Sequence, residues 1–213
     1  MPPTQNLSPD AYRVADLSDK STGTSPTFKF QSWSTGSQEF VVQLICIQPV
    51  ADHQTSIECS ILLDSRMVPL LPKNLIQKQS PLPPVFEIKN AGDKGAGMFA
   101  TQDIAAGALI LVEHPVMIVP ASFTLPDKYH AYKALSNCLS SPRRQELLTM
   151  ANCRSHEECS TMEEGIAQTN GTAIDLAFPP SMNKDQLEYG GVFLTMNRSN
   201  HRYVSDPLLP NLS

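Results

Sequence analysis

The run LPKNLIQKQSPLPP limits what this chain can build more than any other stretch, because Pro72, Pro81, Pro83 and Pro84 fall within it. Proline fixes φ and has no backbone N–H to donate, so a stretch this rich in it reads as a linker or an extended arm. A boundary is therefore expected near Pro84. It divides the 213 residues into an N-terminal extension, 1–83, and a second unit, 84–213.

The two parts differ in grain. Residues 1–38 are rich in Ser, Thr, Pro, Asp and Gln and carry no sustained apolar period, so no stable fold is expected there. Within 39–64, EFVVQLICI (Glu39 to Ile47) and SIECSILLD (Ser56 to Asp64) are short, apolar and β-branched, as strands are. Past Pro84, VFEIKN alternates as a strand, AGDKGAG is a glycine-rich turn, and GALILVE reads as a second strand. A helical insert over about 127–170 follows. DKYHAYKALSNCL has Tyr129, Tyr132 and Leu135 at helical spacing. SPRRQELLTMANC has Ser141 as a cap and Pro142 at a first-turn position, and SHEECSTMEEGIAQT has a Ser start and early acids. GGVFLTM returns to strand. Strands, helices, then strand again make an α+β layout.

Charge and composition exclude several classes. Sixteen basic against twenty-one acidic residues, with no Lys/Arg run, leave no electrostatic footprint for nucleic acid. The most apolar window, GALILVEHPVMIVP, is broken by Glu113, His114 and Pro115 and is too short to span a bilayer. The N-terminus lacks the basic start and apolar core of a signal peptide. Five irregularly spaced cysteines suit a reducing compartment better than a disulfide framework. The expectation is an intracellular protein, nuclear or cytoplasmic, that engages neither membrane nor nucleic acid.

Four motifs compete to carry chemistry. Gly95-Ala96-Gly97 can bring backbone close to a ligand, and equally can be a plain tight turn. With Ala100 it satisfies the dinucleotide pattern G-x-G-x-x-A, and Glu113 follows at about the right distance. That reading fails because MFATQDIAAG is too short for a crossover helix and no further βα units follow. Cys153, His156 and Cys159, with Cys138 upstream, could be taken for zinc ligands. On one helix, however, the outer two would point nearly opposite ways, so they read as buried or incidental thiols and no metal is expected. No G-x-S-x-G elbow occurs, and the pairs Glu157–Glu158 and Glu163–Glu164 read as a solvated helix face.

The window FEIKNAGDKGAGMFATQDIAAGALILVEHPVMIVP resembles the opening of a SET domain, the protein-lysine methyltransferase fold. The matching positions are Gly95, Gly97, Phe99, Ala100, Thr101, Ile104, Gly107, Glu113 and Pro115. A second block is similar to the middle of fungal-type SET proteins. There, a Thr-Asn-Gly segment precedes a strand running into Arg-x-Asn-His-Ser-Cys. The chain supplies Thr169, Asn170, Gly171, Phe193, Arg198, Asn200 and His201. The resemblance covers a little over half the chain, from about Pro84 to His201.

The resemblance implies S-adenosylmethionine as cofactor, contacted by Gly95, Ala96, Gly97, Asn200 and His201, and a protein lysine as substrate. It also implies a Ser-Cys continuation and an aromatic lining the lysine channel. The sequence instead continues as Arg202, Tyr203 and Val204. Codons for Arg202–Val204 and for Ser205–Asp206 can resemble a fungal intron's donor and branch point. The expectation is therefore a partial, truncated SET domain, impaired or inactive as a methyltransferase and with no nameable catalytic residue. The alternative expectation is a non-catalytic SET remnant, a protein-binding module or a non-functional fragment.

Overall fold

The computed structural model describes residues 28–31, 39–48, 57–71, 75–76, 84–121, 128–176 and 188–199. Asn200, His201 and most of 1–38, including the bulk of the segment expected to lack a fold, lie outside the described residues.

The N-terminal part contributes β1 (Phe28–Gln31), β2 (Glu39–Gln48), β3 (Ile57–Asp64) and the short β4 (Leu75–Ile76). β1 falls inside the stretch expected to be without structure. Its four residues are too few to show a period, and pairing with β2 supplies the ladder. β4 sits between the prolines of the expected linker and adds two parallel pairs to β2. Next come the hairpin β5 (Phe86–Asn90) and β6 (Ala96–Ala100), then β7 (Met117–Pro120). Three helices follow, α1 (Lys128–Asn137), α2 (Ser141–Leu148) and α3 (Met162–Asn170), and then β8 (Thr172–Ile174) and β9 (Tyr189–Val192). The architecture is α+β, as the order of strands, helical insert and strand indicated, and its main sheet is mixed. No helix among the described residues is long and apolar enough to cross a membrane.

The main sheet runs β1-β2-β3-β7-β9-β8, and β5-β6 stands apart as a two-stranded ribbon. β3 pairs in parallel with β7, Ile61 beside Ile118, so the ladder passes over the Pro84 boundary and joins both parts in one sheet. β3 is buried on both faces. Leu62 packs with Phe40, Val42, Leu135, Leu147 and Ile166 under the helices. Ile61 and Leu63 pack with Cys59, Met67 and Ile118 on the other side. Two covered faces explain why Ile61, Leu62 and Leu63 are consecutive apolar residues rather than an apolar/polar alternation. Each such fully buried aliphatic side chain contributes about 1.5–3 kcal/mol.

The strand expected over GGVFLTM stops at Val192, and three further local expectations need correction. No strand forms over GALILVE: 107–113 has no ladder, and Leu109, Ile110 and Val112 are exposed. Apolar, β-branched residues make a strand only when a partner takes up their backbone groups, and none does among the described residues. Second, the cap position of α2 is Ser140, not Ser141, and its side chain makes no capping hydrogen bond, while its N–H donates to Glu58 at 2.7 Å.

Third, α3 does not begin at Ser155. Ser155 and Glu158 close a single turn by exchanging hydrogen bonds of 2.9 and 3.3 Å. Thr161 then adopts extended backbone and starts a new helix, accepting the Glu164 N–H at 3.0 Å. Two successive Ser/Thr-x-x-Glu caps thus split what looked like one helix. The same cap buries Glu163 and Glu164, which were expected on a solvated face. Lys133 Nζ donates to both Glu163 carboxylate oxygens at 2.9 Å. Glu164 accepts the N–H and Oγ–H of Ser160, both at 2.8 Å.

Candidate functional site

The turn between β5 and β6 is built by glycine. Gly92 and Gly95 both have positive φ, and Gly95, at φ 75° and ψ −139°, lies where only glycine is comfortable. Asn90 Oδ1 accepts the Gly92 N–H at 2.9 Å, Gly95 donates to the Gly92 carbonyl at 3.0 Å, and Ala91 N–H donates back to Gly95. Gly97 is buried within β6 and pairs with Lys89, and Ala96 pairs with Asn90. Of the three residues expected to face a cofactor, only Gly95 is open to solvent, and a Cβ placed on it would meet nothing within 4 Å. Behind it, Lys89 Nζ lies 4.7 Å from the centre of the Phe99 ring.

The second block meets the first through Glu113. After Val192 the chain turns into a short 3-10 segment, Met196–Arg198, whose first amides have no intrahelical acceptor. Glu113 carboxylate oxygens accept the N–H of Thr195 and of Met196, each at 2.8 Å. β6 runs past the same turn, so the glycine hairpin and the residues leading to position 200 are neighbours. Asn197 fixes the turn from the other side. Its Oδ1 accepts the Phe193 N–H at 2.9 Å, and its Nδ2 donates to the carbonyl of Asn170. Arg198 donates from Nε to the Leu194 carbonyl at 3.0 Å and from a terminal nitrogen to Thr149 Oγ1 at 2.9 Å.

Thr169, Asn170 and Gly171 close α3. The Asn170 side chain donates to the carbonyls of Ala151 and Ile166, at 2.7 and 2.8 Å, and Thr169 Oγ1 accepts the Cys153 N–H at 3.1 Å. A Cβ on Gly171 would come within 2.7 Å of the Ala167 carbonyl oxygen, so a side chain has no room here. Thus Gly95 to Gly97, Glu113, Asn170 and Arg198 belong to one connected region. Asn200 and His201 lie outside the described residues.

The thiols do not form a centre. Cys153 is exposed and Cys159 buried, and they do not share a helix, so the geometry on which the helical argument rested is absent. Among the described residues no group of three or more His, Cys, Asp and Glu side chains is arranged to hold a metal ion. Burial pushes the Cys59 and Cys138 thiols up to about 12 and raises Cys159 as well.

Sequence reasoning placed Glu113 in a motif without giving it a partner, because backbone amides leave no mark in the sequence. It passed over Asn197, whose only cue is its position three residues before Asn200. Compared with protein-family models, with curated proteins and with solved structures, the chain finds no match.

Proposed function

We propose that the chain is a SET-type domain of the S-adenosylmethionine-dependent protein-lysine methyltransferase kind. The cofactor would sit where the Gly95 turn and β6 approach the segment leading to Asn200. One observation carries the reading: Glu113, from the first resembling block, holds the amides of Thr195 and Met196 in the second. Residues about eighty positions apart in sequence are thereby joined where the resemblance asks for a shared cofactor face.

The described residues fit such a group in one respect and narrow it in another. The space over Gly95 is open, so a ligand can lie against its backbone. The Gly95 N–H is already spent on Gly92, so contact there is van der Waals approach rather than a donated hydrogen bond. Gly95, Ala96 and Gly97 would hold the cofactor by backbone, and the resemblance adds Asn200 and His201 as further contacts. S-adenosylmethionine supplies a sulfonium methyl group; the acceptor would be the neutral amine of a protein lysine, and the protein's work is to align the two.

A second reading, a SET-type module that binds a protein partner without methyl transfer, draws on the exposure of Leu109, Ile110 and Val112 along one short stretch. Calorimetric titration with S-adenosylhomocysteine tests the first reading. Saturable binding by the 213-residue chain, weakened at least tenfold in Gly95→Val, is the expected result. No heat at millimolar ligand from demonstrably folded protein would overturn it. Binding without transfer of labelled methyl groups to a protein extract selects the second reading.

A further inference from the structure

The joint between α1 and α2 carries the run Ser140-Ser141-Pro142-Arg143-Arg144. The chain has four Ser-Pro pairs, beginning at Ser8, Ser25, Ser80 and Ser141, and only the last is followed directly by arginine. Proline fixes φ and brings no N–H, so an enzyme groove can read it after a serine by shape and by the missing donor. The two guanidinium groups that follow add a positive charge that an acidic groove selects.

The fold presents this run to solvent. Ser140, Ser141 and Pro142 are exposed, and Arg143 and Arg144 are half-buried. Of the eight residues of α2 only Leu147, in its last turn, is buried. The first turn is held by little else: the Ser140 N–H on Glu58 at 2.7 Å, and the Arg144 N–H on the Ser140 carbonyl at 2.9 Å. A turn with so few buried contacts opens locally at small cost, and can take the extended form that an enzyme groove grips. The two arginines are engaged differently. Arg143 donates to the Glu146 carboxylate at 3.0 Å, a charged acceptor. Arg144 donates to Asn137 Oδ1 at 3.0 Å, a neutral one.

We propose that Ser141 is a phosphorylation site for a proline-directed serine kinase that favours basic residues after the proline, and that its phosphate draws Arg144 away from Asn137. Ser141 Oγ attacks the γ-phosphorus of ATP. The Oγ–P bond forms, the bond from that phosphorus to ADP breaks, and the hydroxyl proton leaves through the kinase's base to solvent. The phosphate then lies three residues before Arg144, a neighbouring position on a helix face. Charge-assisted hydrogen bonds are roughly twice as strong as neutral ones, so the guanidinium exchanges the amide of Asn137 for the phosphate. Glu58, which holds the adjacent Ser140 amide, is the like charge that the phosphate faces, and Arg143 and Arg144 on its own helix offset it. The inference is independent of methyl transfer and stands whether or not the chain binds S-adenosylhomocysteine.

The test incubates the folded full chain with a purified cyclin-dependent kinase and γ-labelled ATP, and locates the label by mass spectrometry. Phosphate on Ser141 is the expected result, formed about tenfold faster than in Pro142→Ala or in the double variant Arg143→Ala, Arg144→Ala. Ser140→Ala should be labelled as the wild type is, which separates the two adjacent serines. Circular dichroism checks that each variant is folded. In the phosphorylated chain, hydrogen exchange across Arg143 to Leu148 should slow relative to the unmodified chain. No label on Ser141, label confined to Ser8, Ser25 or Ser80, or undiminished labelling of Pro142→Ala would overturn the site. Exchange that is unchanged or faster after phosphorylation would overturn the role given to Arg144.

Discussion

Glu113 and Thr195 are joined by a carboxylate-to-amide hydrogen bond of 2.8 Å, and the same carboxylate reaches Met196 at 2.8 Å. An acceptor with full negative charge at the first turn of a 3-10 segment satisfies two backbone donors and complements their dipole. Hydrogen bonds to a charged group are worth about 1.5–3 kcal/mol each, less where water reaches them. Glu113→Ala is therefore expected to destabilise the chain by about 2–3 kcal/mol, and Glu113→Gln, which keeps one acceptor, by about half that. Urea unfolding measures both. Equal stability of wild type and Glu113→Ala would remove the carboxylate as the link between the two blocks.

Gly171 is tested by the smallest possible change. Alanine there sets a Cβ 2.7 Å from the Ala167 carbonyl oxygen, and backbone cannot yield as a flexible side chain would. The expected loss is about 1–3 kcal/mol. Because Asn170 and Thr169 hold the loop at Ala151 and Cys153, hydrogen exchange should quicken across that loop while β2 and β3 keep their protection. A variant as stable as wild type, with unchanged exchange, would show that α3 ends with room to spare.

The pair Lys133–Glu163 is asymmetric. The Glu163 side chain is 5% exposed and the Lys133 side chain 38% exposed. Lys133→Met strands a buried charge, whereas Glu163→Gln removes it and leaves a neutral group beside an amine that water can serve. Lys133→Met should therefore cost more than Glu163→Gln, by roughly 1 kcal/mol after allowing for solvent at the lysine. Thermal unfolding of the two variants decides, and the reverse order would refute the assignment of burial.

Thiol chemistry should sort by burial. At pH 8, brief treatment with iodoacetamide is expected to modify the exposed Cys46 and Cys153, while Cys59 and Cys138, pushed up to about 12, stay protonated and unmodified. The linkage has a definite sign. These thiols ionise near 9 in the unfolded chain and near 12 in the folded one, so they favour the fold below pH 9. That contribution drains away as pH climbs from 9 towards 12. Mass spectrometry of the labelled peptides checks the first statement and urea midpoints at pH 8 and 10 the second. Prompt labelling of Cys59 in folded protein would contradict both.

Where the sequence was readable, the cause was local. β2 and β3 are rich in apolar residues, with Phe40, Val41, Val42, Ile47, Ile61, Leu62 and Leu63 buried, and α1 buries Tyr132 and Leu135 of the expected period but leaves Tyr129 exposed. The errors arose where a second party decides. GALILVE has strand composition but no strand beside it, and the Ser155 start was cut short by the Thr161 cap six residues later. Glu163 and Glu164 looked like a wet face because helical period cannot say that Lys133 and Ser160 wait on the other side. At the candidate site, the two sequence blocks were visible as patterns. What joins them was not, since the Thr195 and Met196 amides are donors that every residue but proline owns.

The parallel pairing of Ile61 with Ile118 sets an order for the growing polypeptide. β2 and β3 form a local hairpin-like pair and can close as soon as both have emerged from the ribosome. The outer edge of β3 must wait for β7, synthesised 57 residues later, which at about 5–20 residues per second is roughly 3–11 s. Through that interval Leu62 and Leu63 lie on a nascent sheet whose next strand does not yet exist. Translation speed between codons 65 and 116 therefore governs how long that edge is offered to chaperones, or to another nascent chain.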